Sequence, residues 1–74
     1  MNIEKFEEIL RWKYDNGTTG FTGNLSGNRY RITNPSKSCK GYNLFINGAA
    51  VKSCTNFFSI ACEIYDRELE VAKG

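Results

Sequence analysis

Tyr42-Asn43-Leu44-Phe45-Ile46-Asn47-Gly48-Ala49-Ala50-Val51-Lys52-Ser53-Cys54 is the stretch that decides the fold. Asn47-Gly48 divides two apolar runs. This dipeptide readily forms a two-residue type I′ turn, because both central residues need positive φ. A hairpin closed there pairs Ile46 with Ala49, Leu44 with Val51 and Tyr42 with Ser53 on one face. On the other face Phe45 opposes Ala50, and Asn43 opposes Lys52. The first face is the more apolar and is the expected core side. Turn chemistry and side-chain alternation point to the same arrangement.

Working outward, residues 29–34 read as a further strand, with Tyr30 and Ile32 alternating with Arg29, Arg31 and Thr33. Asn34-Pro35 ends it, and a polar loop over residues 35–41 leads into the hairpin. Beyond the hairpin, Thr55 or Asn56 is expected to cap a closing helix that runs to about residue 72. In it Ser59, Glu63, Asp66, Glu70 and Lys73 recur at 4-3-4-3 spacing as one solvated stripe. Phe57, Phe58, Ile60, Ala61, Ile64, Tyr65 and Leu69 cover the rest. At the other end Asn2 caps a helix over residues 3–14, with Ile3, Phe6, Leu10 and Tyr14 on its apolar stripe. Ile9 and Trp12 widen that stripe. Asp15-Asn16-Gly17 stops the helix. Residues 17–28, punctuated by four glycines, form a polar connector with room for one short strand at Phe21. The expected architecture is one α+β domain of the order αβββα, with a fourth strand allowed. Helices on one face of an antiparallel sheet leave the other face open.

Charge divides this chain sharply. All eight acids lie in residues 4–15 and 63–70. Residues 16–62 hold no acid but five bases: Arg29, Arg31, Lys37, Lys40 and Lys52. The middle is therefore +5 and the two ends together −3, within a net charge of +2. Alternation places Arg29, Arg31 and Thr33 on the face that also holds Asn43, Phe45 and Lys52. The expected binding surface is Arg29, Arg31, Asn43, Phe45 and Lys52, with Lys37 and Lys40 nearby. Guanidinium and ammonium groups neutralise acidic side chains or phosphates, and an exposed ring stacks or anchors.

Other chemistry has little to stand on. The sequence has no histidine, so imidazole acid–base catalysis and Ser-His or Cys-His pairs are excluded. Its carboxylates fall on solvated helix faces. Cys39, Cys54 and Cys62 form no CxxC pair, so a zinc site is not expected, and no cofactor is expected either. All three are read as reduced thiols, with Cys39, flanked by Lys37 and Lys40, the only candidate reactive group. No apolar run is long enough to span a membrane, and residues 1–5 have no signal-peptide character. A cytoplasmic protein is expected.

The short chain, the αβββα order, the tight hairpin from Tyr42 to Gly48 and the closing helix from Asn56 give a plan similar to small phage and mobile-element proteins, anti-CRISPR proteins among them. Residues 29–72 also resemble the sheet-based DNA-binding domains of phage integrases. The first resemblance implies an inhibitor that docks on a host protein or nucleoprotein complex. The second implies a DNA- or RNA-binding protein using the same basic face. Many anti-CRISPR proteins mimic DNA through acidic surfaces, and the basic middle of this chain departs from that pattern. Neither resemblance carries over a functional residue.

Overall fold

Asn2 begins the first helix as expected: its side-chain oxygen accepts the Lys5 amide at 2.8 Å. In the computed structural model, which describes residues 2–34 and 39–73, this helix is α1 (Ile3–Asp15). It ends where Asn16 turns both its amide and its side chain to the Trp12 carbonyl. Four antiparallel strands follow: β1 (Gly20–Thr22), β2 (Arg29–Thr33), β3 (Tyr42–Ile46) and β4 (Ala49–Thr55). They lie side by side in chain order. The short strand allowed at Phe21 is present, with Phe21 opposite Tyr30. Asn56, not Thr55, caps the closing helix α2 (Phe57–Lys73) by accepting the Ser59 amide at 2.7 Å.

The core lies between the sheet and the helices. Tyr30 and Ile32 of β2, Leu44 and Ile46 of β3, Phe57, Ile60, Ala61 and Ile64 of α2, and Leu10 of α1 are buried together. Tyr14, Tyr42 and Phe57 meet edge to face at 5.2–5.8 Å between ring centroids, a favoured aromatic geometry. The Arg11 guanidinium covers the Phe57 ring from 4.9 Å and also pairs with Glu7. Trp12 does not widen the apolar stripe of α1, because 65% of it is exposed. In α2, Phe58 and Leu69 also face solvent in part.

The hairpin turn forms as its chemistry requires, with φ at 52° for Asn47 and 88° for Gly48. Ile46 pairs with Ala49 and Phe45 with Ala50. Beyond that point the expected register fails. Leu44 pairs with Lys52 rather than Val51, and Tyr42 with Thr55 rather than Ser53. Each step inserts one extra residue into β4, as a β-bulge does. Three local features mark the far end of the strand. Gly41 is buried so closely against β4 that a Cβ there would stand 2.6 Å from Cys54 C, Thr55 N and Thr55 O. Asn43 Oδ1 accepts the Cys54 amide at 3.1 Å, and Cys54 takes a left-handed backbone, with φ at 53°. Val51 and Ser53 are exposed and do not join the core, and Ala49, although paired as expected, is exposed as well.

Two of the three cysteines are not thiols. Cys39 and Cys54 form a disulfide across 15 residues, with Cα atoms 5.7 Å apart. The expectation of a free, reactive Cys39 is therefore corrected, and so is the reading of all three cysteines as reduced thiols. Disulfides persist mainly in oxidising compartments. Cys62 is the free cysteine. Burial, and then the Asp66 carboxylate, push its thiol pKa up, which makes it a poor nucleophile. Among the described residues no helix is long and apolar enough to cross a membrane.

The close approach at residue 41 gives a direct test. Gly41→Ala forces a methyl group into β4 backbone that cannot rotate away. It should cost about 1–3 kcal/mol of stability by urea unfolding. An unchanged urea midpoint would refute the contact.

Candidate docking surface on the open sheet face

Paired residues in neighbouring strands share a face. One cross-strand row runs Gly20, Arg31, Phe45, Ala50, and beside it lie the pairs Thr22–Arg29 and Thr33–Asn43. The core residues Tyr30, Ile32, Leu44 and Ile46 alternate with these and face the helices. The row therefore forms the side of the sheet that neither helix covers. Gly20 and Ala50 are small, so Arg31 and Phe45 stand between low neighbours. A shallow depression of about 680 Å³ results, lined by Gly20, Arg29, Arg31, Thr33, Phe45 and Gly48 among others.

The base of this surface is held by backbone and amide bonds. The Asn47 amide donates to the Arg29 carbonyl at 2.8 Å, and the Arg29 amide donates to Asn47 Oδ1 at 2.9 Å. Asn47 Nδ2 also donates to Asn28 Oδ1 at 3.1 Å. The hairpin turn thus fixes the start of β2 and, with it, Arg29. Arg29 and Arg31 are exposed, and among the described residues neither enters an ion pair. Phe45 is half-buried. The 23–28 connection does not cover Phe45, since it turns to the helix side and bonds Glu68 of α2.

Not every expected residue joins this surface. Lys52 does not. The first bulge puts it opposite the fully buried Leu44, on the helix side, with its ammonium 3.8 Å from Glu63 Oε1. Glu63 also holds Arg67 at 2.7 Å. Asn43 is on the face, but its amide is occupied: it accepts from Cys54 and donates to Thr33 Oγ1 at 3.4 Å. Lys40 is exposed beside the disulfide. Lys37 lies outside the described residues.

A second cluster escaped the sequence reading. The Glu68 carboxylate accepts the Leu25 amide at 3.1 Å, the Ser26 amide at 3.3 Å and the Tyr30 hydroxyl at 2.6 Å. The Ser26 hydroxyl donates to it as well. A Cβ on Gly23 would run into this carboxylate. Two signals for the cluster were present: Glu68 falls off the charged stripe of α2, and a core tyrosine needs a partner for its hydroxyl. Burial opposes ionisation of Glu68, but the bonds from Ser26, Tyr30 and the two amides outweigh it and lower its pKa. Burial, and then the bond to Glu68, push the Tyr30 phenol pKa up, so it stays a donor. An apolar groove of about 530 Å³ adjoins Glu68 between α1, α2 and the 22–25 segment. Its charged lining is Lys13 and the fully engaged Glu68.

The lowered Glu68 pKa has a sign that can be checked. Just below its ordinary value of 4.5, the unfolded chain binds the extra proton and the folded chain does not. Stability should therefore fall as pH drops from 4.5 toward the lower folded value. Urea midpoints of the native chain should decline more steeply there than those of Glu68→Gln. Parallel declines would refute the clamp.

Set against known proteins, the chain matches no family model, no curated protein and no solved structure, so its surface chemistry alone must carry a functional reading.

Proposed function

We propose that this chain is a non-enzymatic binding protein that docks its open, basic sheet face on an acidic surface of a protein partner. The observation that carries this reading is the pair Arg29 and Arg31, unpaired with any carboxylate among the described residues and set beside Phe45 in an uncovered depression. Arginine and aromatic side chains are the usual anchors of protein interfaces. The absence of histidine and the full engagement of Glu68 support a binding role over catalysis.

Size refines the proposal. The face measures roughly 15 by 17 Å between outer strand axes and along five-residue strands. That is well under the ~800 Å² per partner of a standard interface. A partner must therefore also reach the rim, where Lys40 stands exposed. The similarity of plan to anti-CRISPR proteins names a host defence nucleoprotein complex as the partner class to test first. Because disulfides are kept reduced in the cytosol, that partner is to be tested with the chain oxidised.

The second reading is a sheet-based DNA- or RNA-binding protein. The relocation of Lys52 weakens it. On this face and its rim, Arg29, Arg31 and Lys40 are the described cations left to meet phosphates, which gives a slope of only about −2 to −3 in log K against log salt. Such binding fades at physiological ionic strength.

One experiment separates the two. With its disulfide formed, the native chain should inhibit a purified host CRISPR effector complex in non-reducing buffer, and Arg31→Glu with Phe45→Ala should abolish inhibition without changing far-UV circular dichroism. Anisotropy with labelled duplex DNA, single-stranded DNA and RNA should show no binding at physiological salt. Nucleic-acid binding that survives physiological salt and disappears in Arg29→Glu/Arg31→Glu would replace the protein-docking reading. Inhibition that the double variant retains would remove this face from the function.

A further inference from the structure

The basic face is joined mechanically to the disulfide. Cys54 donates its amide to Asn43 Oδ1 at 3.1 Å, and Asn43 Nδ2 donates to Thr33 Oγ1 at 3.4 Å. Asn43 and Thr33 face each other in the row next to Arg31 and Phe45. On the other side of the joint, Gly41 packs on the Cys54–Thr55 backbone, and Tyr42 pairs with Thr55. Cys54 sits at the second bulge in a left-handed backbone, φ 53°, a conformation that costs a non-glycine residue energy and lasts only while its surroundings enforce it. Cys54 is exposed and Cys39 half-buried, and exposed disulfides are the ones reductants reach. The bond also holds Lys40, one residue from Cys39, to the rim that a partner must engage.

We infer that the Cys39–Cys54 disulfide is a redox switch on the docking face: the oxidised chain is binding-competent, and a dithiol reductant releases it. This rests on the docking reading above and adds regulation to it. In the switching step a thiolate of the reductant attacks one sulfur of the pair, breaking the S–S bond and forming a mixed disulfide. The reductant's second thiol then displaces the cysteine. Two electrons and two protons pass to Cys39 and Cys54, and the reductant leaves as its own disulfide. Without the tie, the end of β4 is free to leave the left-handed conformation at Cys54, Asn43 loses its donor, and Lys40 is no longer held at the rim. The helices and the Tyr30–Glu68 bond lie outside this joint and persist. An oxidising compartment keeps the face assembled, and a reducing one loosens it.

The test uses the whole chain and a fluorescein-labelled glutamate-rich peptide as the acidic probe, read by anisotropy. Dithiothreitol should weaken binding roughly tenfold, within the range of ordinary coupling between sites, and reoxidation should restore it. Cys39→Ser/Cys54→Ser should bind as weakly as the reduced chain and ignore dithiothreitol. Far-UV circular dichroism should stay unchanged, while amide shifts of Thr33, Asn43 and Phe45 move on reduction. Equal affinity in both redox states, with binding lost in Arg29→Glu/Arg31→Glu, would overturn the switch and leave the docking face standing. Binding that is absent, or that survives Arg29→Glu/Arg31→Glu, would overturn the docking reading and the switch with it. Global loss of circular dichroism on reduction would make the bond a structural staple and not a switch. Unmoved amides at Thr33, Asn43 and Phe45 would refute the coupling whatever the probe does.

Discussion

The hydroxyl of Tyr30 is the constraint around which the chain is arranged. Its ring is buried on the helix side of β2, where a phenol without a partner would cost about 1–3 kcal/mol. Glu68 meets that need from α2, and the same carboxylate gathers the Leu25 and Ser26 amides and the Ser26 hydroxyl. One charge thus fastens the closing helix, the second strand and the glycine-rich connection to each other. Because that connection is drawn toward the helices, it is kept off the opposite face of the sheet. The openness of the basic surface follows from a polar bond on the far side of the molecule.

Much of the architecture was legible because local chemistry and long-range packing agree there. Asn47-Gly48 demands its turn, Asn2 and Asn56 supply side-chain acceptors where helices begin, and Tyr30 and Ile32 alternate cleanly with Arg29 and Arg31. The failures lie where one long-range contact overrides alternation. A bulge adds a residue without changing composition, and residues 49–53 offer no large apolar side chain besides Val51 to mark the register. Cysteine count and spacing suggested thiols, whereas pairing depends on a fold that brings residues 39 and 54 together. Trp12 reads as core on a helical wheel, but α1 is buried along a narrower line than the wheel allows.

For the candidate surface the same division holds. Arg29, Arg31 and Phe45 lie in the regular part of the sheet, and period-two reasoning places them together. Lys52 lies past the first bulge, where the period resets, and it leaves the surface for Glu63. Asn43 is on the expected face, yet its amide serves the fold before any partner. Alternation tells which way a side chain points; it does not tell whether the side chain is already occupied.

The two bulges of β4 have a consequence for how any partner approaches. A four-stranded sheet offers two edges at which a foreign strand could add by backbone hydrogen bonding. Here β1 is only three residues long, and β4 is interrupted twice in seven. Neither edge presents the straight, evenly spaced ladder that strand addition needs. The sheet is therefore closed at its sides and open on its flat. The same irregularity that misled the reading of register also guards a small, open-faced sheet against polymerising through its own edges.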